Sequence, residues 1–171
     1  MRLSALDASE YHAYYAPYLN ILGDVELLPS LENGLGGLSV LIGGLSEKHL
    51  KFAYSHGKWT VAELLIHLFD AERVFQYRAL RFGRGDTTDL PGFDQDSFVP
   101  QSRAAHRTKQ DLLTEFKAIR AATTTLFRSF DDESLLRIGS ASGAKMSVRA
   151  LGFVISGHQT HHLKILKERY L

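Results

Sequence analysis

The sequence contains no cysteine, a single tryptophan, two methionines and four prolines. Without cysteine there is no disulfide framework, no thiol nucleophile and no thiolate metal site, which leaves imidazole and carboxylate as the strong metal ligands. An excess of either charge is missing too, since twenty Lys and Arg face nineteen Asp and Glu for a net +1. So balanced a chain presents no broad electropositive face, and nucleic acid is not expected as a partner. There is also no long apolar run. The longest uncharged stretch, Asn33 to Ser46, is interrupted by glycines and reads as a buried helix, so no membrane span is expected. Met1-Arg2-Leu3-Ser4-Ala5-Leu6-Asp7 places an acid where an export signal needs its apolar core, and a cytoplasmic protein is expected. A hydrophobic share of 44% and a charged share of 23% match ordinary globular chains, and 171 residues suit a single domain spanning residues 1–171.

What is present is helical periodicity. After an aromatic lead-in from Ser9 to Tyr18, Leu31, Leu35, Leu38, Ile42 and Leu45 recur at steps of four and three residues, predicting a core-facing helix. Its glycines, Gly34, Gly36, Gly37, Gly43 and Gly44, each cost up to about 1 kcal/mol against alanine, which packing must offset. Thr60 and Glu63 form a capping-box signal for a second helix, with Leu64, Leu68, Ala71 and Phe75 on one stripe and a stop at Gly83-Arg84-Gly85. From Gly83 to Ser102 the composition is that of a loop long enough to have a task. Leu112, Phe116, Ile119, Thr123, Leu126 and Phe130 mark a third helix, and a short polar link from Arg137 to Lys145 follows. Ser147 can cap the last helix, where Leu151, Ile155, His158, His162 and Ile165 fall within about 80° of arc. Four periodic segments without strand alternation predict an all-α, antiparallel-type four-helix bundle whose handedness stays open.

His158 and His162 are four residues apart on the apolar stripe, so their rings project from one face with Cβ atoms about 6 Å apart. His161 sits at the flank of the stripe. His67 lies on the shoulder of the second helix's stripe, with Ala71, Val74 and Arg78, and can also face inward. Buried imidazoles need partners, and two charged ones facing each other repel; one shared metal ion solves both problems. Individual hydrogen bonds to carboxylates or carbonyls are the competing explanation. Three imidazoles from two helices would leave coordination positions open for water or substrate. His158-Gln159-Thr160-His161-His162 has glutamine where a zinc peptidase places its glutamate, which argues against peptidase chemistry. The glycine-rich stretch lacks the Gly-Lys-Ser/Thr ending of a phosphate loop, and Arg84-Gly85-Asp86 is a chance tripeptide.

The run Gly57-Lys58-Trp59-Thr60-Val61-Ala62-Glu63-Leu64-Leu65-Ile66-His67-Leu68, followed by Asp70-Ala71-Glu72-Arg73 and a distant Gly157-His158-Gln159-Thr160-His161-His162, resembles the DinB/YfiT-like family over nearly the whole chain. The resemblance implies a four-helix bundle whose metal ligands are His67, His158 and His162. It implies one divalent transition metal ion, nickel or zinc foremost, with iron or manganese also used by members. Characterised members include thiol-dependent transferases and an isomerase that use low-molecular-weight thiols such as bacillithiol or mycothiol. The family's name refers to gene regulation after DNA damage in one branch and implies no DNA contact. A homodimer is a further expectation of the resemblance.

The leading functional expectation is a metal-dependent transferase in which the ion lowers the pKa of a bound thiol, and the substrate is a small molecule. A metal-dependent hydrolase, with water in place of the thiol, uses the same ligands. A non-catalytic module whose ion only pins helices together is the third class. Arg78 is expected to pair with Asp70 or Glu63, with capture of a substrate carboxylate or phosphate as its alternative. Asp70 reads first as a solvated helix residue and second as a carboxylate orienting a ligand imidazole. Trp59 is expected to staple the start of the second helix more than to line a pocket, and Asp94 and Asp96 receive no role.

Overall fold

The structure, a computed structural model, describes residues 1–171. Four long helices, α1 (Leu27–Gly44), α2 (Val61–Gly83), α3 (Lys109–Arg128) and α4 (Val148–Arg169), form the bundle. The two helices that carry the histidines begin as the sequence predicts. Thr60 accepts from the Glu63 amide while Glu63 reaches back to the Thr60 amide, and the Ser147 hydroxyl accepts from the Ala150 amide. α3 has its own capping box, Thr108 with Asp111. No helix is long and apolar enough to cross a membrane.

The directions of the helices differ from an all-antiparallel bundle. Along α1 and α3, Glu32 meets Arg128 and the Gly43 carbonyl meets Lys109, so these two run in opposite senses. Between α2 and α4 the order is again reversed, from Trp59 with Tyr170 to Phe75 with His158. The other two neighbouring pairs are parallel. Ser30 meets Ser156 and the Gly34 carbonyl meets Gln159 between α1 and α4, whereas Phe69 stacks on Phe116 and Glu72 meets Arg120 between α2 and α3. A parallel pair needs a connection that returns along the full helix length, about 34 Å for the 23 residues of α2. The segment 84–108 is that return strap. It carries only short helical turns, including Gln95–Phe98, and is anchored by the buried Leu90, Val99 and Ala104.

The link before α4 is a small hairpin, which corrects the expectation of a chain without strands. β1 (Ile138–Ala141) pairs antiparallel with β2 (Ala144–Ser147), and Ser142 and Gly143 both take positive φ, 55° and 71°, as a tight two-residue turn requires. Strands of four residues are too short to display a readable alternation.

The core is two apolar clusters with a polar layer between them. One gathers Leu27, Leu31, Phe75, Phe82, Phe127 and Phe153, and the other Leu38, Leu65, Phe69, Leu112, Phe116 and Leu166. In the layer, Arg120 is 1% exposed and gives Glu72 two hydrogen bonds of 2.8 Å, one from Nε and one from Nη2. Its Nη1 donates to the Leu31 carbonyl at 2.8 Å and its Nη2 to Gln159 Oε1 at 2.5 Å. Gln159 Nε2 then donates to the Gly34 carbonyl at 2.7 Å. A Cβ on Gly34 would collide with Arg120 and Gln159, so this helix glycine makes room for the layer.

Candidate metal centre

His67 on α2 and His158 on α4 are 4% and 6% exposed, and His162, one turn beyond His158, is half-buried. The antiparallel crossing of α2 and α4 brings the three rings together. His158 Nε2 lies 3.2 Å from His67 Nε2 and 3.1 Å from His162 Nε2, and a ring nitrogen from each residue lies within 4.8 Å of the other two. His161 stays outside the trio, its ring packed edge-on against Tyr18 at 5.3 Å, as its flank position predicts.

Hydrogen bonding alone does not satisfy this arrangement. A neutral ring nitrogen makes one in-plane N–H···N bond, as donor or as acceptor, so His158 Nε2 cannot serve both neighbours. His162 Nδ1 is buried without a partner. No carboxylate joins the cluster, which rules out the competing explanation of separate histidine–carboxylate pairs. The electrostatics favour neutral rings. Burial lowers the His67 pKa to about 4 against the opposing pull of Asp96, and burial with the neighbouring imidazoles lowers that of His162 to about 3. Burial and the other histidines hold His158 well below the ordinary imidazole value. Three neutral, convergent nitrogens are the protonation state that a divalent ion requires of its ligands. At an ion about 2.0–2.1 Å from each nitrogen, the 3.2 Å and 3.1 Å separations from His158 would subtend about 95–105°.

His67 and His158 form part of the wall of a cleft of about 350 Å³, together with Tyr15, Tyr18, Phe75 and Phe93. The tyrosines come from the aromatic lead-in before the first bundle helix. The short helix Ala16–Asn20 packs onto α4, and Gly157 permits it, because a Cβ there would strike the Tyr18 carbonyl. A cluster of tyrosines before a bundle, together with a glycine beside the histidine pair, was the available signal.

The Trp59 ring lines a recess, and the tie at the start of α2 comes from its backbone rather than from its side chain. Its carbonyl accepts from the Tyr170 hydroxyl at 2.9 Å, tying the start of α2 to the end of α4. Its ring lies 5.0 Å from that of His67 and lines a second recess with His162 and Asp96. Asp96 therefore borders the trio on both sides, from the return strap. Asp70 pairs with Arg73 at 3.4 Å and orients no imidazole; burial raises its pKa. The expected pairing of Arg78 is incorrect, since Asp70 is engaged by Arg73 and Glu63 by the Thr60 cap. Arg78 instead lines the cleft.

A helical bundle with a buried three-histidine cluster opening on a cleft defines the class. Residues 31–166 match the sequence model of the DinB superfamily, and the chain belongs to that superfamily. It is 27% identical over 130 residues to a Geobacillus thermodenitrificans (strain NG80-2) protein provisionally named a metal-dependent hydrolase, covering 73% of this chain and 71% of that one. YfiT from Bacillus subtilis, provisionally assigned as a metal-dependent hydrolase with an unusual four-helix bundle topology, shares the fold. Its TM-score is 0.72 at 18% identity over 83% of this chain and 82% of that one. The DinB-like protein YjoA from Bacillus subtilis matches at a TM-score of 0.59 and 19% identity, over 82% of this chain and 86% of that one.

Proposed function

We propose that His67, His158 and His162 hold one divalent transition metal ion and that the protein is a metal-dependent hydrolase of a small molecule bound in the adjoining cleft. The observation that carries this reading is the convergence of three neutral ring nitrogens beside a cavity that His67 and His158 wall, with His158 Nε2 within hydrogen-bond range of both partners. The relative from Geobacillus thermodenitrificans supports the hydrolytic reading. An imidazole-only set suits zinc or nickel. When bound, such an ion supplies Lewis acidity that polarises a substrate oxygen and acidifies a nucleophile. The chain's own contribution is to keep the imidazoles deprotonated by burial, to fix their separation through α2 and α4, and to confine the substrate between Tyr15, Tyr18, Phe75 and Phe93.

A thiol S-transferase is the second reading, and one observation favours it. No carboxylate lies within hydrogen-bonding distance of the three imidazoles, so a general base is not built into their contacts. A low-molecular-weight thiol, with an ordinary pKa of about 8.5, needs less help to ionise than water does.

The test is to strip the protein with a chelator, refill it with zinc or nickel, and assay activated esters without thiol and an aryl chloride with added thiol. Metal-dependent ester cleavage supports hydrolysis, and metal-dependent thioether formation supports transfer. Tight metal uptake with neither reaction across both panels would leave only a structural ion, contrary to the proposal.

A further inference from the structure

Arg78 is 5% exposed and has no carboxylate partner. One hydrogen bond is formed, from Nη2 to the Pro91 carbonyl at 3.3 Å, out of the five N–H groups a guanidinium offers. The unused donors are not sealed in protein: the buried polar atoms without a partner are Ser39 Oγ, Thr123 Oγ1 and His162 Nδ1, and Arg78 lines the cleft. Compare Arg120, the other deeply buried arginine, whose guanidinium is paired with Glu72 and further tied to Leu31 and Gln159. A buried cation left without a counter-ion is costly unless an anion arrives to complete it. The acids of the cleft, Asp94 and Asp96, are exposed on the return strap, and neither pairs with Arg78.

We infer that Arg78 is the anion-binding end of the cleft, and that the substrate is an elongated small molecule with a terminal oxyanion, a carboxylate or phosphate, and an apolar middle. Arg78 follows His67 by three turns of α2, about 16 Å along the axis at 1.5 Å per residue. Both side chains lean back toward the helix N-terminus, the longer arginine further, so the guanidinium lies somewhat less than that distance from the imidazole. Phe75 and Phe93 wall the space between. The planar fork of arginine suits bidentate capture of carboxylate or phosphate oxygens. This assignment rests on the cleft being the substrate site, and it adds which class of molecule enters and in which direction.

The experiment measures binding by calorimetry, without turnover, on the full chain in metal-free and zinc-loaded forms. The probes are 4-phenylbutyrate, 4-phenylbutyl phosphate and the uncharged 4-phenylbutanol. Wild type should bind at least one anionic probe about tenfold or more tighter than the alcohol, and which anion wins separates carboxylate from phosphate recognition. Arg78→Gln should erase that preference while leaving affinity for the alcohol within about threefold. Equal affinities in wild type, or a preference retained in Arg78→Gln, would overturn the inference. If Arg78→Gln fails to fold, the wild-type Arg78 Nε–H resonance decides: it should shift on adding the anion and not the alcohol, and a resonance unmoved by both sinks the assignment. Because the preference is read in metal-free protein as well, it stands or falls separately from metal binding and catalysis.

Discussion

Gly157 lies against the backbone carbonyl of Tyr18, at a separation that leaves no space for a side chain. The aromatic lead-in reaches the three-histidine cluster through this contact, since Tyr18 packs edge-on against His158 with ring centroids 5.2 Å apart. Gly157→Ala should push the Ala16–Asn20 helix away and destabilise the fold by about 1–3 kcal/mol, read as a lowered urea midpoint. The same variant should weaken binding of aromatic probes in the cleft. An unchanged midpoint would show that the approach is not tight.

Alanine at His67, His158 or His162 should each lower affinity for zinc or nickel at least about 100-fold, beyond what outer-shell changes cause. His161→Ala should stay within about threefold, because His161 faces Tyr18. Competitive titration against a chromogenic chelator, with metal content measured by mass spectrometry, checks both. Equal losses in all four variants would contradict a three-histidine set.

The pH dependence follows from proton uptake. The imidazoles have folded values below the ordinary 6.5, about 4 for His67 and about 3 for His162, so the folded chain binds fewer protons than the unfolded one at acid pH. Stability of the metal-free protein should be full above pH 6.5 and fall as pH drops toward 4, by up to about 1.4 kcal/mol per pH unit for each proton the fold refuses. Urea midpoints at pH 7.5 and 5.0 measure it. A midpoint that rises on acidification would mean the rings are charged in the folded state.

Glu72 is 5% exposed and is the counter-charge of Arg120. Glu72→Ala should cost about 3–5 kcal/mol by leaving the guanidinium buried and unpaired. Replacing both residues together, Glu72→Leu with Arg120→Met, should cost less than Glu72→Ala alone. Chemical denaturation of the two variants decides, and a double replacement as damaging as the single one would mean the ion pair itself holds the layer.

The sequence made α2 and α4 legible because period, cap and histidine spacing all sit within single helices: Thr60 with Glu63, Ser147, and His158 with His162. Their mutual approach was legible only through likeness to a family, since no local pattern says that His67 faces His158. The parallel pairing of α2 with α3 was hidden for the same reason; loop length is compatible with either direction. The partner of Arg78 was misread because Asp70 and Glu63 have nearer claims, from Arg73 and from the Thr60 cap. Gly34 looked like a defect in a helix until Arg120 and Gln159 were seen to occupy the space it leaves.

The strap 84–108 exists because two neighbouring helices point the same way. It sets part of the cleft's outline through Phe93 and Asp96 while supplying none of the three imidazoles. Part of the cleft's outline is thus written on a stretch of chain separate from the histidines. Rewriting the strap would reshape that part of the cleft while leaving the histidine-bearing helices unchanged in sequence, which offers engineers a segment to randomise.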